Sequence, residues 1–217
     1  MKKILTTAIL CAGLVGFTAC DSFLDEEPKS SLTLDTYYKT SADIIGNVNY
    51  LYRDGAPDKM GNMTGAYRGS SLSVMNMVTG YFVTRQNFTQ SCCNYLTNDT
   101  WKGCYKSINV ANAVIKYVDG VEMDGQAQYK AEARFFRALN YFYLVKMFGD
   151  VPMITEPTED ATLVEYPART AASEVYKTVI IPDLQFAVEN LPDATFAGNS
   201  HRVTKYAADM LLADVYM

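Results

Sequence analysis

Five separated stretches of this sequence place apolar residues at steps of three and four, the spacing that gives a helix one apolar face. A chain with this pattern must bury several such faces against one another, so the sequence predicts an all-α fold. The stretches are residues 34–54, 99–118, 126–147, 173–190 and 204–217.

Capping and breaking residues divide these stretches. Ser41, Ser173 and Thr204 stand where three of the helices are expected to begin, because a side-chain oxygen at that position can accept a hydrogen bond from an unpaired backbone N–H. Gly149 follows the third stretch and is expected to end it. Pro182 lies inside the fourth stretch and predicts a kink or a break there.

The N-terminus has the layout of a secretory signal peptide. Lys2 and Lys3 precede the apolar run 4–15, which is too short to span a bilayer comfortably, and small residues follow. Residues 17–20, FTAC, resemble the lipobox of bacterial lipoproteins, which predicts cleavage before Cys20 and a diacylglyceryl group on its thiol. Ordinary cleavage that leaves the cysteine unmodified is the alternative.

These features divide the chain into a signal peptide (1–19), a lipidated acidic tether (20–30) and a helical domain (31–217). No later segment has eighteen consecutive apolar residues, so the lipid is the only membrane attachment that the sequence predicts. Removing the signal peptide changes the formal net charge from −5 to −7, because it takes away two lysines and no acid. The negative charge disfavours nucleic acid as a partner.

Three cysteines remain outside the signal peptide and the lipid site. Export permits a disulfide between Cys104 and either Cys92 or Cys93, but buried or idle thiols are the simpler expectation. A metal site is not predicted, because His201 is the only histidine and no CxxC pair is present.

No motif of an enzyme active site appears. The sequence contains no GxSxG, HExxH or phosphate-binding loop, and one histidine leaves little for a catalytic triad. Glycoside hydrolysis needs two carboxyl groups across a cleft. Glu132 lies in a predicted helix beside Arg134 and needs no such role, while the other candidates lie in or beside a polar loop: Asp150, Glu156, Glu159 and Asp160. We expect a protein without catalytic residues and without a cofactor.

The third stretch carries Ala131, Phe135 and Ala138, the spacing of the second helix of a tetratricopeptide repeat. Several segments, read in order, resemble the N-terminal half of the SusD/RagB family over nearly all of residues 21–217. They are DSFLDEEP, LTLDTYYKTSADI, W..CY..INVANAVI, AEARFFRALNYFYLVKMFGDVPMIT, RTAASEVYKTVIIPDLQFAVENLP and RVTKYAADMLLADVYM.

This resemblance implies tetratricopeptide-like helix pairs with long irregular loops. It also implies a lipid-anchored protein on the outer face of the outer membrane, which sits as a lid on a TonB-dependent transporter and passes it oligosaccharide or another small nutrient. Family members are more than twice this length, and their C-terminal half supplies part of the sugar site. A helix that is still running at Met217 also suggests a truncated sequence.

The resemblance places the sugar-binding groups in residues 60–100. Sugar recognition combines an aromatic ring with polar groups that satisfy the hydroxyls. The candidates are Tyr81, Arg85, Asn87, Tyr95 and Asn98. Trp101 shares a helix face with apolar residues, so we expect it to pack in the core. The alternative function is a tetratricopeptide-like adaptor that holds a protein and has no sugar site.

Overall fold

The computed structural model describes residues 33–54, 95–158, 167–195 and 197–217, with the backbone alone at residues 35, 54 and 95–100. Within these ranges the regular structure is helical, apart from one isolated antiparallel bridge between Val151 and Thr170. The all-α prediction is confirmed. The signal peptide, the tether and Cys20 lie outside the described residues.

Seven α-helices are found in the described ranges: α1 (Leu34–Tyr37), α2 (Ser41–Asp54), α3 (Tyr95–Tyr117), α4 (Gln126–Phe148), α5 (Ala172–Val175), α6 (Ile181–Asn190) and α7 (Lys205–Tyr216). A 3₁₀ turn (Val118–Gly120) follows α3, and a π-helical turn (Tyr176–Ile180) joins α5 to α6. All five predicted stretches are helical. None of the helices in these ranges is long and apolar enough to cross a membrane.

Helices α3 and α4 form an antiparallel hairpin. Gln126, at the start of α4, donates through Nε2 to the carbonyl oxygen of Val118 at 2.7 Å, next to the end of α3. At the opposite end, the ring of Trp101 packs edge-on against Phe148, with centroids 5.0 Å apart. Trp101 therefore packs against the core, as predicted.

Helix α4 is the central helix, since it packs against α2, α3, α6 and α7. Ala131, Phe135 and Ala138 are all buried, so the repeat-like spacing marks the packed face of this helix. The helix ends where predicted. Gly149 has a φ of 69°, which glycine adopts without steric cost, and its N–H donates to the carbonyl oxygen of Val145 at 3.0 Å.

The first stretch was predicted to be one helix over 34–54, with Ser41 as a cap, and both expectations are wrong in detail. The chain leaves the helix after α1 and starts again at α2, with Thr40 as the cap. Thr40 donates to the Asp43 carboxylate from its N–H at 2.8 Å and its hydroxyl at 2.7 Å. This capping box favours a new helix start over a continuous helix.

Helix α5 begins without the cap that was expected from Ser173. It starts at Ala172, and Ala171 makes no side-chain capping bond. Instead, the Asp150 carboxylate accepts a hydrogen bond from the N–H of Ala172 at 2.9 Å. A negative charge at this position also interacts favourably with the helix dipole. The prediction for Ser173 is wrong because the cap comes from a distant segment.

The irregularity predicted at Pro182 as a kink or a break takes the form of a π-helical turn, and the chain stays helical through it. Pro182 has no N–H, and in a continuous α-helix its ring would press on the carbonyl group of Thr178. The turn before it inserts an extra residue, so that the N–H of Ile181 bonds to the carbonyl oxygen of Tyr176. Pro182 then occupies the first turn of α6, where a missing N–H costs nothing.

Cys104 is a free, buried thiol in α3. Burial raises the pKa of this thiol to about 12, so it stays protonated at neutral pH. Cys92 and Cys93 lie outside the described residues. The expectation of a buried thiol holds for Cys104.

Candidate functional site

A groove of about 570 Å³ opens to solvent between the start of α2 and the start of α4; we call it the α2–α4 groove. Its size falls in the range of small-molecule sites, roughly 300–1,000 Å³. Its lining residues are Ser41, Ile45, Glu122, Met123, Asp124 and Tyr129.

Two helices and one connector supply these side chains. Ser41 and Ile45 are four residues apart in α2, so they lie on the same face one turn from each other. Tyr129 lies in the first turns of α4, and residues 122–124 belong to the connector between the 3₁₀ turn and α4. The capping box of α2 fixes the first wall, since Ser41 directly follows the capping residue Thr40.

The connector is held by a glycine turn and by an amide. Gly125 has a φ of 71°, and a Cβ at that position would lie 3.7 Å from Cε2 of Tyr129, so the ring rests against this turn. Gln126 donates through Nε2 to the carbonyl oxygens of Val118 at 2.7 Å and Val121 at 3.1 Å. These contacts fix the wall of the groove that carries the connector.

The groove combines acceptors with apolar surface. Glu122 and Asp124 bring exposed carboxylates, and neither makes a hydrogen bond or ion pair within the described part of the chain. The Ser41 hydroxyl and the Tyr129 phenol add groups that can donate or accept, while Ile45 and Met123 are apolar. Of the described lining residues, none is a lysine or an arginine. Such a surface suits an uncharged molecule with many hydroxyl groups.

Behind the groove lies a buried carboxylate cluster. The guanidinium of Arg202 lies 5.3 Å from the ring centroid of Tyr129 and 4.9 Å from that of Tyr52. Glu132, which is fully buried, accepts from Arg202 Nη2 at 2.6 Å and from its Nε at 3.0 Å. The Tyr52 hydroxyl donates to Glu132 at 2.9 Å, and burial followed by the charge of Glu132 raises the pKa of this hydroxyl. The phenol therefore stays protonated and keeps its bond.

Arg202 also ties an irregular segment to α2. Its Nη1 donates to Oδ1 of Asn49 at 2.8 Å, and the N–H of Val203 donates to the Tyr52 hydroxyl at 2.9 Å. Ser200 and His201, directly before it, have φ values of 51° and 61°, which non-glycine residues rarely adopt. From the sequence, no role was assigned to Glu132 beyond its helix, and its partner Arg202, seventy residues away, was not predicted.

A second buried carboxylate joins α4 to α6. Asp183 accepts from Arg137 Nε at 2.7 Å and Nη2 at 2.9 Å, and Arg137 Nη1 donates to Oδ1 of Asn112 at 2.9 Å. Burial raises the pKa of the Asp183 carboxyl, against the hydrogen bonds from Arg137 and the charge of Arg134. Asn112 in turn donates to the carbonyl oxygen of Ile154 at 3.0 Å. This cluster positions the loop after α4 and is too enclosed to meet a substrate.

The chain's relatives share this arrangement of helices. Residues 22–217 match a family described as SusD-like and as starch-binding, associating with the outer membrane. The chain belongs to the SusD-like family. The expectation drawn from the sequence segments is thereby confirmed.

Two curated relatives match this SusD-like chain over nearly its whole length. A SusD-like protein of Formosa agariphila is 32% identical over 100% of this chain and 43% of its own length. One from Bacteroides ovatus is 31% identical over 99% of this chain and 38% of its own. The chain thus spans about two fifths of the relatives that it matches.

Solved structures agree with the fold. A laminarin-binding SusD-like protein has a TM-score of 0.67 at 28% identity and covers 82% of this chain and 40% of its own. A SusD-like carbohydrate-binding protein from Bacteroides fragilis reaches 0.69 at 22% identity, over 83% and 37%, which supports the fold alone. A structure with xylogluco-oligosaccharide gives 0.59 at 27% identity, over 80% and 34%.

Most of the sugar-contact residues predicted from the sequence fall outside the part of this SusD-like chain that the structure describes. Tyr81, Arg85 and Asn87 are the three that do so. Tyr95 and Asn98 are placed by their backbone in the first turns of α3, which begins at residue 95 and not at 99 as the periodicity indicated. These two positions are therefore helical, where an irregular segment had been expected. All five remain predictions as ligand contacts.

Proposed function

We propose that this chain takes part in glycan capture at the cell surface, as a non-catalytic lipoprotein that delivers oligosaccharide to a TonB-dependent outer-membrane transporter. One observation carries the proposal: residues 22–217 match a family described as starch-binding and associating with the outer membrane. Two proteins of similar fold, at 27% and 28% identity, are a laminarin-binding protein and one solved with xylogluco-oligosaccharide.

The proposed sugar contacts are those the family resemblance indicates. Tyr81 and Tyr95 would stack on the apolar face of a sugar ring, because aromatic rings supply apolar area with a polar edge. Arg85, Asn87 and Asn98 would satisfy sugar hydroxyls that lose their water on binding.

The proposal includes a lipid anchor at Cys20, carried on the tether of residues 20–30. Burial of acyl chains is worth roughly 0.8 kcal/mol per CH₂ group, so several chains on one residue suffice for stable attachment. Cells fed a labelled fatty acid should incorporate it into the wild-type chain and not into Cys20→Ala. Equal labelling of both proteins would contradict the anchor.

Three carboxylates among the described residues have structural roles. Glu132 and Asp183 are buried and held by arginines, and Asp150 caps a helix. None of these three faces another carboxyl across an open cleft, as glycoside hydrolysis would require.

Isothermal titration tests the proposal directly. The mature chain, made unlipidated through Cys20→Ser, should bind at least one of the neutral laminari-, xylogluco- or malto-oligosaccharides. Tyr81→Ala and Arg85→Ala should each weaken binding by about tenfold, the effect of losing one good contact, while Tyr216→Ala, an exposed tyrosine on α7, should not. Release of reducing sugar during incubation would instead indicate an enzyme.

A protein adaptor is the second candidate, and α7 gives the observation that favours it. Met210 is 76% exposed, and Tyr206 and Tyr216 lie on the same helix with more than half of their surface exposed. Exposed apolar side chains grouped on one element are typical of protein contacts. If none of the tested oligosaccharides binds and a transporter barrel co-purifies with the chain, these results would favour the adaptor function.

A further inference from the structure

We propose that the α2–α4 groove is a saccharide subsite that accepts neutral sugars and rejects anionic ones. This inference rests on the proposed glycan-binding function and assigns part of it to residues outside the segment 60–100. It also adds a selectivity by charge, which the family description does not state.

The lining matches the needs of a sugar ring. A sugar presents hydroxyls around its edge and C–H groups on its faces, so it needs acceptors and apolar surface in one place. The carboxylates of Glu122 and Asp124 are strong acceptors for hydroxyl donors, because hydrogen bonds to ionised groups are stronger than neutral ones. Tyr129, Ile45 and Met123 supply the apolar side. The groove therefore offers both parts of a sugar contact.

The charge of the lining selects among sugars. Among the described residues that line the groove, none is a lysine or arginine, so Glu122 and Asp124 meet no counter-charge from these residues. A sulfate or uronate brought between these carboxylates would meet like charges at short range, which disfavours binding. Neutral sugars are not repelled by these charges, and their hydroxyl groups can still donate hydrogen bonds to both carboxylates.

A cation is a poorer fit than a sugar. Calcium takes six to eight oxygen ligands, and magnesium requires near-octahedral geometry. Glu122 and Asp124 provide two carboxylates, and the described residues hold no group of three or more His, Cys, Asp or Glu that could bind a metal ion. The remaining lining groups are a hydroxyl, a phenol and two apolar side chains.

The groove is built before a ligand arrives, which lowers the entropy lost on binding. Tyr129 lies against the turn at Gly125 and near the guanidinium of Arg202. Arg202 is fixed in turn by the buried Glu132. The aromatic surface of the groove is therefore supported from behind by a charged cluster that does not itself reach the ligand.

Titrations of matched variants test the assignment. Glu122→Gln and Asp124→Asn should each weaken binding of the neutral oligosaccharide by about tenfold, since each loses a charge-assisted hydrogen bond. Glu189→Gln removes an exposed carboxylate from α6, outside the groove lining, and should bind like the wild type. A sulfated form of the same oligosaccharide should bind the wild type more weakly than the neutral form.

Methyl NMR of the wild type locates the ligand independently of affinity. The methyl signals of Ile45 and Met123 should shift when neutral oligosaccharide is added, while that of Ile180, which is buried, should not. If glycan binds but the methyl signals of Ile45 and Met123 do not shift, and the variants bind like the wild type, the groove is not the binding site. The proposed function would still stand. No binding of any glycan by the wild type would overturn both. Preference for the sulfated form would overturn the selectivity.

Discussion

The described part of the chain has two buried carboxylates on or against the central helix α4, and they differ in what they hold together. Asp183 is 2% exposed and is held by Arg137 from the neighbouring helix α4. Glu132 is 0% exposed and is held by Arg202, which lies on an irregular segment before α7. We call these the Asp183 pair and the Glu132 pair. The first joins two helices, and the second joins a loop to two helices.

The difference lies in what else holds each region. Around the Asp183 pair, Leu184 and Ala187 are fully buried, so α6 would pack on α4 by its apolar face even without the charges. Residues 197–202 contain no buried side chain, so this segment is held by the hydrogen bonds of Arg202, of Asn199 and of the Val203 backbone. The contact between α4 and α6 thus has apolar packing in addition to the Asp183 pair, whereas the loop before α7 relies on hydrogen bonds and on the Glu132 pair.

Breaking the Asp183 pair should give the largest effect. Asp183→Ala leaves Arg137 charged with only 11% of its side chain exposed, and loss of one partner of a buried pair costs about 3–5 kcal/mol. Urea unfolding followed by circular dichroism measures this loss.

A double variant separates the charge from the packing. Arg137→Met with Asp183→Leu removes both charges together and should recover most of the lost stability, because well-packed apolar residues can replace a buried ion pair. If the double variant is as unstable as Asp183→Ala, the packing of α6 on α4 depends on the ion pair itself. The proposed difference between the Asp183 pair and the Glu132 pair would then be wrong.

Breaking the Glu132 pair should lower the free energy of unfolding less than breaking the Asp183 pair. It should have a larger effect on the local protection of the loop before α7. The Arg202 side chain is 21% exposed, so water can solvate it after Glu132→Gln, and we expect a loss of about 2 kcal/mol. Hydrogen exchange at the Val203 amide should accelerate strongly, because its acceptor Tyr52 is held by Glu132. Arg137→Lys serves as the comparison, since it should leave the Val203 amide protected.

The smallest effect is expected at Asp193, at the surface end of the same segment. Hydrogen bonds from Lys205 and Tyr206 lower the pKa of the Asp193 carboxyl below its ordinary value of 3.8. Its contribution to stability is therefore present above about pH 4 and lost as the pH falls through the folded-state pKa. Asp193→Asn should change the urea midpoint little at pH 7, because exposed ion pairs contribute little.

Measuring wild type and Asp193→Asn between pH 2 and pH 7 checks the sign. The gap between the two proteins should narrow as the pH falls, since protonation removes the same charge that the substitution removes. A gap that widens in acid would show that Asp193 is not stabilised in its ionised form.

Local patterns were enough to predict the helices. The apolar spacing identified all five stretches, Gly149 ended α4 where expected, and the fourth stretch is distorted at the turn before Pro182. Each of these signals depends on residues within one or two helical turns of one another. The residues that cause each feature are therefore visible together in the sequence. One error arose because two neighbouring residues could play the same role. Thr40 and Ser41 are adjacent and both are good helix caps, so the sequence does not show which of them caps α2.

Contacts between distant segments could not be predicted in the same way. Nothing near Asp150 indicates that its carboxylate will cap α5, and nothing near Glu132 indicates Arg202. The α2–α4 groove was missed for the same reason, since Ser41 and Tyr129 come together only when α2 packs beside the α3–α4 hairpin. Sugar contacts were sought in residues 60–100 through family resemblance, and they remain to be tested there.

The position of both arginine-bound networks on α4 restricts how its length can change in evolution. Glu132 and Arg137 are five residues apart, so they project from the helix in directions about 140° apart, at roughly 100° per residue. Deleting one residue between them would rotate one side chain away from its partner and shift everything beyond it by 1.5 Å. Homologous chains should therefore vary freely in the connectors and keep the spacing between these two positions unchanged.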